Sequence, residues 1–335
     1  MTPDYQRIDE LVKNATEILI VQADNPDADS LGSALALEQV IGDLGSKPLL
    51  YCAVDIPGYL HYLPGWDRVE RELPSNFDAS IIVDTSTLTL LEKLVTSNGI
   101  RQLAAKPCVV LDHHQTVSND ISFASITVCD PHRSSTGELI YDIATALHWP
   151  MSVSCKQHLM NAILGDTQGL SNSLATSKTY RIMADMIDSG VDRSRLEESR
   201  RAFGKMPQSI YRYKAELIKR TEFYVDGRLA LVSIPQSEIN DYSPLYNPAP
   251  LIQNDMLQTE GVGIGIVLKI YNDGHVTGAI RANPTFSVAA ELAEHFGGGG
   301  HAYASGFKVK DSRSFEDIKM ECIQQATELL SKVGK

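Results

Sequence analysis

Short apolar runs that end in acidic residues recur along the first half of this chain, with helical periods between them. Glu17 to Ala23 (Glu-Ile-Leu-Ile-Val-Gln-Ala) leads into Asp24-Asn25-Pro26-Asp27-Ala28-Asp29, Ala79 to Val83 into Asp84-Thr85-Ser86, and Pro107 to Leu111 into Asp112-His113-His114. Runs this short and this apolar predict buried strands. After the first, Leu31, Ala34, Leu35, Leu37, Val40, Ile41 and Leu44 recur at helical spacing up to Gly45, so a helix opens at Ser30 and stops at a glycine. Leu49 to Val54 and Thr127 to Cys129 read as further strands, Thr87 to Val95 as helical, and Ser134 to Glu138 as the opening of a helix. From Ser152 to Phe203 the period is helical, broken by the loop Gly165 to Asn172, where apolar Ala162 to Gly165 meets Asp166-Thr167. Alternating strands and helices predict a mainly parallel sheet with helices on its faces.

The pattern changes after residue 204. Met206-Pro207 and Ile210 to Thr221, rich in charged helix formers, predict a semi-rigid helical linker over 205–221. Glu222 to Ile234 gives two short strands around Asp226-Gly227, and Gly261 to Tyr271 with His275 to Ala282 gives a second hairpin around Asn272-Asp273-Gly274. A short amphipathic helix, Ser287 to Phe296, precedes four consecutive glycines and His301; a strand, Ser305 to Val309, and a closing helix, Phe315 to Val333, follow. The expected organisation is α/β, with domains at 1–204 and 222–335 joined by the linker.

Composition narrows the partners. At 335 residues, 43% hydrophobic and 21% charged, the chain suits two ordinary globular domains. It contains no apolar run of about 18 residues, which argues against a membrane span. The N-terminus lacks a basic stretch followed by an apolar core, so a cytoplasmic protein is expected. Its five cysteines are scattered without a Cys-x-x-Cys and read as small buried hydrophobes. The net charge of −12, without a Lys/Arg-rich run, disfavours a long nucleic acid and favours a small ligand gripped locally.

Acidic residues just beyond the carboxyl ends of parallel strands face the crevice in which open α/β sheets bind ligands, so the acidic ends can converge on one cleft. Carboxylates with imidazoles and no thiolates suit hard divalent cations. Taken singly, each cluster also has a structural explanation. Asp29 or Ser30 would cap a helix, Ser135 with Glu138 has capping-box spacing, and Asp166 could be a cap. The glycine run would cradle an anion with its amides or serve as a flexible connector.

Five motifs stand in a specific order: Asn25-Pro-Asp-Ala-Asp-Ser-Leu-Gly-Ser33, Asp84-Thr85, Asp112-His-His114, Gly165-Asp-Thr-Gln-Gly169 and Gly297-Gly-Gly-Gly-His301. In that order they resemble the DHH phosphoesterase family, in its small members that pair a DHH domain with a C-terminal DHHA1 domain, of the oligoribonuclease and 3'-phosphoadenosine-5'-phosphate phosphatase type. The resemblance implies an N-terminal DHH domain around a parallel sheet, a smaller α/β DHHA1 domain, and two divalent metal ions, Mn2+ with Mg2+ or Co2+ as substitutes. It assigns Asp27 and Asp84 to the first metal, and Asp29, Asp84, His113 and Asp166 to the second. Asp112 would orient His113, and His114 would contact substrate phosphate or assist the leaving group. Ser135 would lie near the substrate, with Arg281, the amides of Gly298, Gly299 and Gly300, and His301 fixing it. The implied chemistry is metal-assisted phosphoester hydrolysis of a short RNA or small nucleotide, by a protein that family analogy makes a homodimer.

Two positions depart from the family's pattern. Arg281 is followed by Ala282-Asn283 instead of serine, and the histidine that opens the first motif is Ala23, which leaves the first metal one ligand short and its site weak. Gln22 or Asp24 would substitute only by turning inward, because strand alternation points them away from the side that residue 23 faces. Three functions fit. The first is a phosphodiesterase releasing 5'-mononucleotides from short oligoribonucleotides and also acting on 3'-phosphoadenosine-5'-phosphate. The second is a phosphodiesterase of linear or cyclic di-adenylate messengers, and the third a nucleotide-binding protein whose catalysis Ala23 has weakened.

Overall fold

The computed structural model describes residues 2–114, 121–242 and 247–333, and the chain divides into two compact units, 1–205 and 206–335. The first unit runs α1 (Pro3–Asn14), β1 (Glu17–Val21), α2 (Ala28–Asp43), β2 (Lys47–Tyr51), β3 (Ala79–Val83), α3 (Glu92–Thr96), α4 (Gly99–Ala104), β4 (Cys108–Asp112), β5 (Ile126–Cys129), α5 (Thr136–Leu147), α6 (Val153–Asp166), α7 (Ser177–Asp188) and α8 (Arg193–Phe203). Its five strands are all parallel, in the order β2-β1-β3-β4-β5. The chain leaves β1 toward β2 on one side and returns to β3 on the other. The switch point therefore lies between the carboxyl ends of β1 and β3, where such sheets open a crevice.

Both faces of this sheet are covered, which explains why its strands read as continuous apolar runs. Ile18, Ile20, Ile81, Val83, Val109 and Leu111 pack with residues of α2, α5 and α6. The alternate residues Leu19, Val21, Ile82 and Val110 pack with Leu94 of α3 and Leu103 of α4. Two glycines set how closely α6 approaches α2. A Cβ on Gly32 would lie 2.7 Å from the His158 carbonyl oxygen, and one on Gly165 would lie 2.7 Å from the Ala28 Cβ. Without those methyls, the last turn of α6 closes on the first turn of α2, so Asp166 reaches the motif that carries Asp27 and Asp29.

The second unit contains α9 (Gln208–Lys219), β6 (Glu222–Tyr224), β7 (Leu229–Pro235), α10 (Gln236–Tyr242), α11 (Pro248–Gln258), β8 (Ile264–Ile270), β9 (Val276–Ala282), α12 (Ala289–His295), β10 (Gly299–His301), β11 (Ala304–Val309) and α13 (Phe315–Val333). Its six strands lie in the order β10-β11-β9-β8-β7-β6. The pairs β6/β7 and β8/β9 are antiparallel, on the segments expected as hairpins. β7 and β8 are parallel, joined by a crossover through α10 and α11 that the sequence pattern did not reveal. One sheet face packs against α12 and α13. On the other, Ile210, Tyr213 and Leu217 of α9 are buried with Val232, Ile252 and Val267. The stretch expected as a linker thus packs into the core of this unit, each buried apolar side chain contributing about 2 kcal/mol. Among the described residues, no helix is long and apolar enough to cross a membrane.

Candidate active site

The acidic residues meet at the switch point. Asp27 is the N-cap of α2: its Oδ1 accepts from the amides of Asp29 and Ser30, both at 3.0 Å. The helix cap is therefore Asp27, in place of Asp29 or Ser30, because its carboxylate leads the first two free amides. Asp29, fully buried, accepts three hydrogen bonds: from the Thr136 amide at 2.7 Å, the Gly137 amide at 3.0 Å and the Ser33 hydroxyl at 3.0 Å. Thr136 and Gly137 form the first turn of α5, where unpaired amides and the helix dipole favour an anion. The Thr136 hydroxyl donates to Asp84 Oδ1 at 3.1 Å. Asp84 follows β3 in the left-handed region, with φ of 62°, a conformation that Asp tolerates better than most residues and that turns the chain sharply at the strand end.

His113 and His114 point to different neighbours. His113 Nδ1 lies 3.3 Å from the Arg133 carbonyl, which can only accept, so Nδ1 carries a hydrogen, and Nε2 would present its lone pair to a cation that displaced its proton. That Nε2 is 2.8 Å from Asp166 Oδ2, 3.6 Å from Asp29 Oδ2 and 3.7 Å from Asp84 Oδ1, yet it is buried without a hydrogen bond to any described residue. His114, half exposed, is held by Asp112, whose Oδ1 accepts from its amide at 3.1 Å and its Nδ1 at 2.8 Å. The expectation that Asp112 orients His113 is corrected: residues two apart share a side at the end of a strand, so Asp112 and His114 pair.

This cluster is short of positive charge. Burial, then the charges of Asp29, Asp27 and Asp166, push the Asp84 carboxyl well above its usual range. Burial followed by Asp166 raises Asp29, and burial followed by Asp29 raises Asp27. Burial also opposes a charge on His113, but Asp166 and Asp29 outweigh it and lift the imidazole to about 9. Asp112 goes the other way: burial works against its charge, and hydrogen bonds from His114 and Ser86 more than offset this and hold it low. Two triplets each bring one potential ligand atom per residue within 4.8 Å of one another, Asp29/His113/Asp166 and Asp84/His113/His114. A divalent cation suits this arrangement better than protons, since the carboxylates and the Nε2 lone pair are all acceptors facing one another.

Asp166 is the last residue of α6. A carboxylate at the negative end of a helix is unfavourable by the dipole alone, so its presence has no local structural explanation.

Around Ala23, no imidazole among the described residues takes the place of the missing one. Ala23 is buried, and its carbonyl accepts from Cys52 Sγ at 3.4 Å. The Asp24 Oδ2 accepts from the Lys93 amide at 2.8 Å, while its Oδ1 is buried without a hydrogen bond to any described residue. Gln22 is buried, with its Oε1 3.4 Å from the Ser30 hydroxyl. A cleft of about 690 Å³ adjoins the cluster through Ala28 and Gly165 and is walled by Tyr59, Tyr62, Leu196 and Arg193. Neither this cleft nor the contributions of Thr136 and the Arg133 carbonyl were apparent from the motifs; the only sequence signal was the capping pattern at Ser135. Ser135 itself is buried and caps α5, its hydroxyl accepting from the Glu138 amide at 3.0 Å.

In the second unit, Arg281 is exposed on β9 and makes no ion pair among the described residues; its Nη1 donates to the Ile280 carbonyl at 3.2 Å. The second half of the glycine run is a strand. Gly299, Gly300 and His301 pair antiparallel with Gly306, Ser305 and Ala304. The Gly298 amide donates to the Ala293 carbonyl at 2.8 Å, so it is already committed. A Cβ on Gly298 would lie 2.2 Å from the Gly306 carbonyl oxygen, so close strand packing requires glycine there. The side chain of His301 lies outside the described residues.

Comparison with known proteins agrees with this geometry. Residues 17–165 match the DHH family, N-terminal domain, and residues 249–330 match the DHHA1 domain. The chain is 25% identical over 295 residues to a bifunctional oligoribonuclease and PAP phosphatase, NrnA, of Thermus thermophilus, covering 85% of this chain and 82% of that protein. It is also 25% identical to the cyclic-di-AMP phosphodiesterase GdpP of Geobacillus thermodenitrificans, over 90% of this chain but only 46% of that longer protein. An exopolyphosphatase-related protein from Bacteroides fragilis shares the fold, with a TM-score of 0.83 at 20% identity over 98% of each chain. With both domain matches in the order of the motifs, the chain belongs to the DHH family of phosphoesterases, hydrolases acting on phosphoester bonds, and carries a DHHA1 domain after its DHH domain.

Proposed function

We propose that the protein is a metal-dependent phosphodiesterase that releases 5'-mononucleotides from short oligoribonucleotides and removes the 3'-phosphate of 3'-phosphoadenosine-5'-phosphate. The observation that carries this reading is the convergence of Asp29, Asp84 and Asp166 on the buried Nε2 of His113. These four residues would hold one divalent cation, and Asp27 with Asp84 a second, weaker one, manganese being the preferred ion. Bound there, the pair supplies Lewis-acid activation of water and of the phosphoryl group.

The chain's own residues do the rest. Asp112 fixes His114 through Nδ1 and, by that hydrogen bond first, raises the imidazole's pKa. That raised pKa favours the charged form of His114, which would offer its Nε2–H to a phosphate oxygen or a leaving oxygen. The cleft beside Ala28 and Gly165 has room for the base of a nucleotide, with the Tyr59 ring at its wall. The name of the NrnA relative supports the oligoribonucleotide reading; the GdpP relative favours di-adenylate as a second substrate class. A cytoplasmic location accords with a small nucleotide substrate.

The deciding experiment is manganese-dependent release of AMP from linear di-adenylate by the full chain and by Asp84→Ala. Release by the wild type that disappears in the variant is expected. Equal release by both would mean a contaminating activity and would remove the phosphodiesterase reading. An inert wild type that still binds nucleotide would leave Ala23 as the mark of a binding protein.

A further inference from the structure

The second unit carries a cationic cleft that no motif marks. Strand register places Lys269 of β8 opposite Thr277 of β9, and Thr277 opposite Lys308 of β11, so the three side chains form one row across three strands. They line a cleft of about 510 Å³ together with Ala279 and Gly306. Among the described residues, no Asp or Glu lines it. Lys269 is half-buried, and its Nζ donates to the Asn247 side-chain oxygen at 3.0 Å; neither it nor Lys308 makes an ion pair among the described residues. Burial lowers the Lys269 pKa. In a chain with a net charge of −12, two lysines that share a cleft and find no carboxylate are poised for an external anion.

Arg281 stands on the same strand as Thr277, four residues along and on the same sheet face. Four residues of strand span about 13 Å, and neighbouring strands lie about 4.8 Å apart, so long side chains can close on a ligand between the two positions. Resting on the nucleotide reading above, we infer that Lys269, Thr277 and Lys308 form a second phosphate-binding position, which selects nucleotides carrying a phosphate group in addition to the one held at Arg281. Between the two positions on β11 lie Gly306 and Ala304, both small and partly exposed, which leave room for a nucleoside along that strand. Such a device would favour a nucleoside 3',5'-bisphosphate or a 5'-phosphorylated dinucleotide over a plain mononucleotide.

The test is calorimetric titration of the full chain in EDTA at low salt, so that binding is measured without turnover. The probes are 3'-phosphoadenosine-5'-phosphate, 5'-phosphorylated di-adenylate and AMP. Wild type is expected to bind at least one of the two probes with two phosphate groups about tenfold more tightly than AMP, and whichever shows the preference identifies the ligand. Lys269→Met and Lys308→Met should each remove most of that preference while leaving AMP affinity unchanged, whereas Arg281→Met should weaken all three. Preference surviving in both lysine variants, equal weakening of AMP, or no preference in wild type would overturn the inference. If Lys269→Met fails to fold because Asn247 loses its partner, the exposed Lys308→Met carries the test alone. Because the metal is absent, failure to hydrolyse any substrate would sink the phosphodiesterase reading without altering these ratios.

Discussion

The two sides of the carboxylate cluster are built differently. On the His113 side, Asp29 is locked by α5 amides, His113 by a carbonyl, and Asp166 reaches in from the end of α6. On the Ala23 side, an exposed Asp27 caps a helix, and the position that carries a histidine in the resembling family is a buried methyl. The difference shows which residues are kept by folding and which by chemistry. Asp29 and Asp27 organise the starts of helices whether or not a cation is present. Residue 23 caps no helix, so the fold does not require a histidine there. Asp166 sits where a helix end disfavours it, and only a cation or the charged His113 offsets that position.

Asp84 belongs to both sides, and its loss should break both. Asp84→Asn keeps a residue that accepts positive φ and removes the charge. Manganese-dependent AMP release is expected to fall about a thousandfold or more, equivalent to roughly 4 kcal/mol of transition-state stabilisation. Retention of more than a tenth of the rate would mean that the sides do not share this ligand.

A second buried imidazole sharpens the contrast with His113. His158 is fully buried, neither ring nitrogen has a partner among the described residues, and burial lowers its pKa to about 4. Its folded pKa lies below the ordinary value of 6.5, so the unfolded chain binds the proton more readily between those limits. Stability should therefore be full above about pH 6.5 and fall as pH drops toward 4, by at most about 3 kcal/mol from this residue. Urea-unfolding midpoints for wild type and His158→Leu across that range provide the check. A wild-type acid loss no steeper than that of the variant would show that His158 is not the neutral buried group inferred.

Ala23→His asks whether the weak side is weak for want of one ligand. The variant is expected to raise the number of tightly bound manganese ions from one to two in a calorimetric titration and to increase turnover about tenfold. Two tight ions in the wild type would mean that the Ala23 side is already complete.

How much of this was legible beforehand depends on the kind of interaction. The strands and their acidic ends were readable because both faces of β1, β3 and β4 are buried and the carboxylates follow at once. α10 and α11 were not, since the crossover carries Pro248 and Pro250, which read as breakers although Pro248 opens α11 behind the Asn247 cap. The glycine run looked like a loop; close pairing with β11 makes its second half a strand, a fact of tertiary contact and not of local propensity. The Asp112–His114 pairing follows from the same alternation that separates residue 23 from its neighbours, since residues two apart at a strand end share a side. The support of Asp29 by Thr136 and Gly137 spans more than a hundred residues and leaves only a capping signal.

The smallest effects separate the two sides most cleanly, because they are read without any metal. In EDTA, Asp27→Ala removes the acceptor of two α2 amides and should lower stability by about 1 kcal/mol. Asp166→Asn removes a negative charge from a helix C-terminus and from a crowd of carboxylates, at the cost of its contact with a charged His113. The first effect is expected to win, raising stability by about 0.5 kcal/mol, within the range of helix-dipole contributions. For a unit of this size the two variants should then melt a few degrees apart, in opposite directions from wild type. Both ought to lose manganese affinity, Asp166→Asn by the larger factor. If Asp166→Asn is instead the more destabilised protein in EDTA, the His113–Asp166 pair is a structural ion pair, and the case for Asp166 as a residue kept for the cation falls with it.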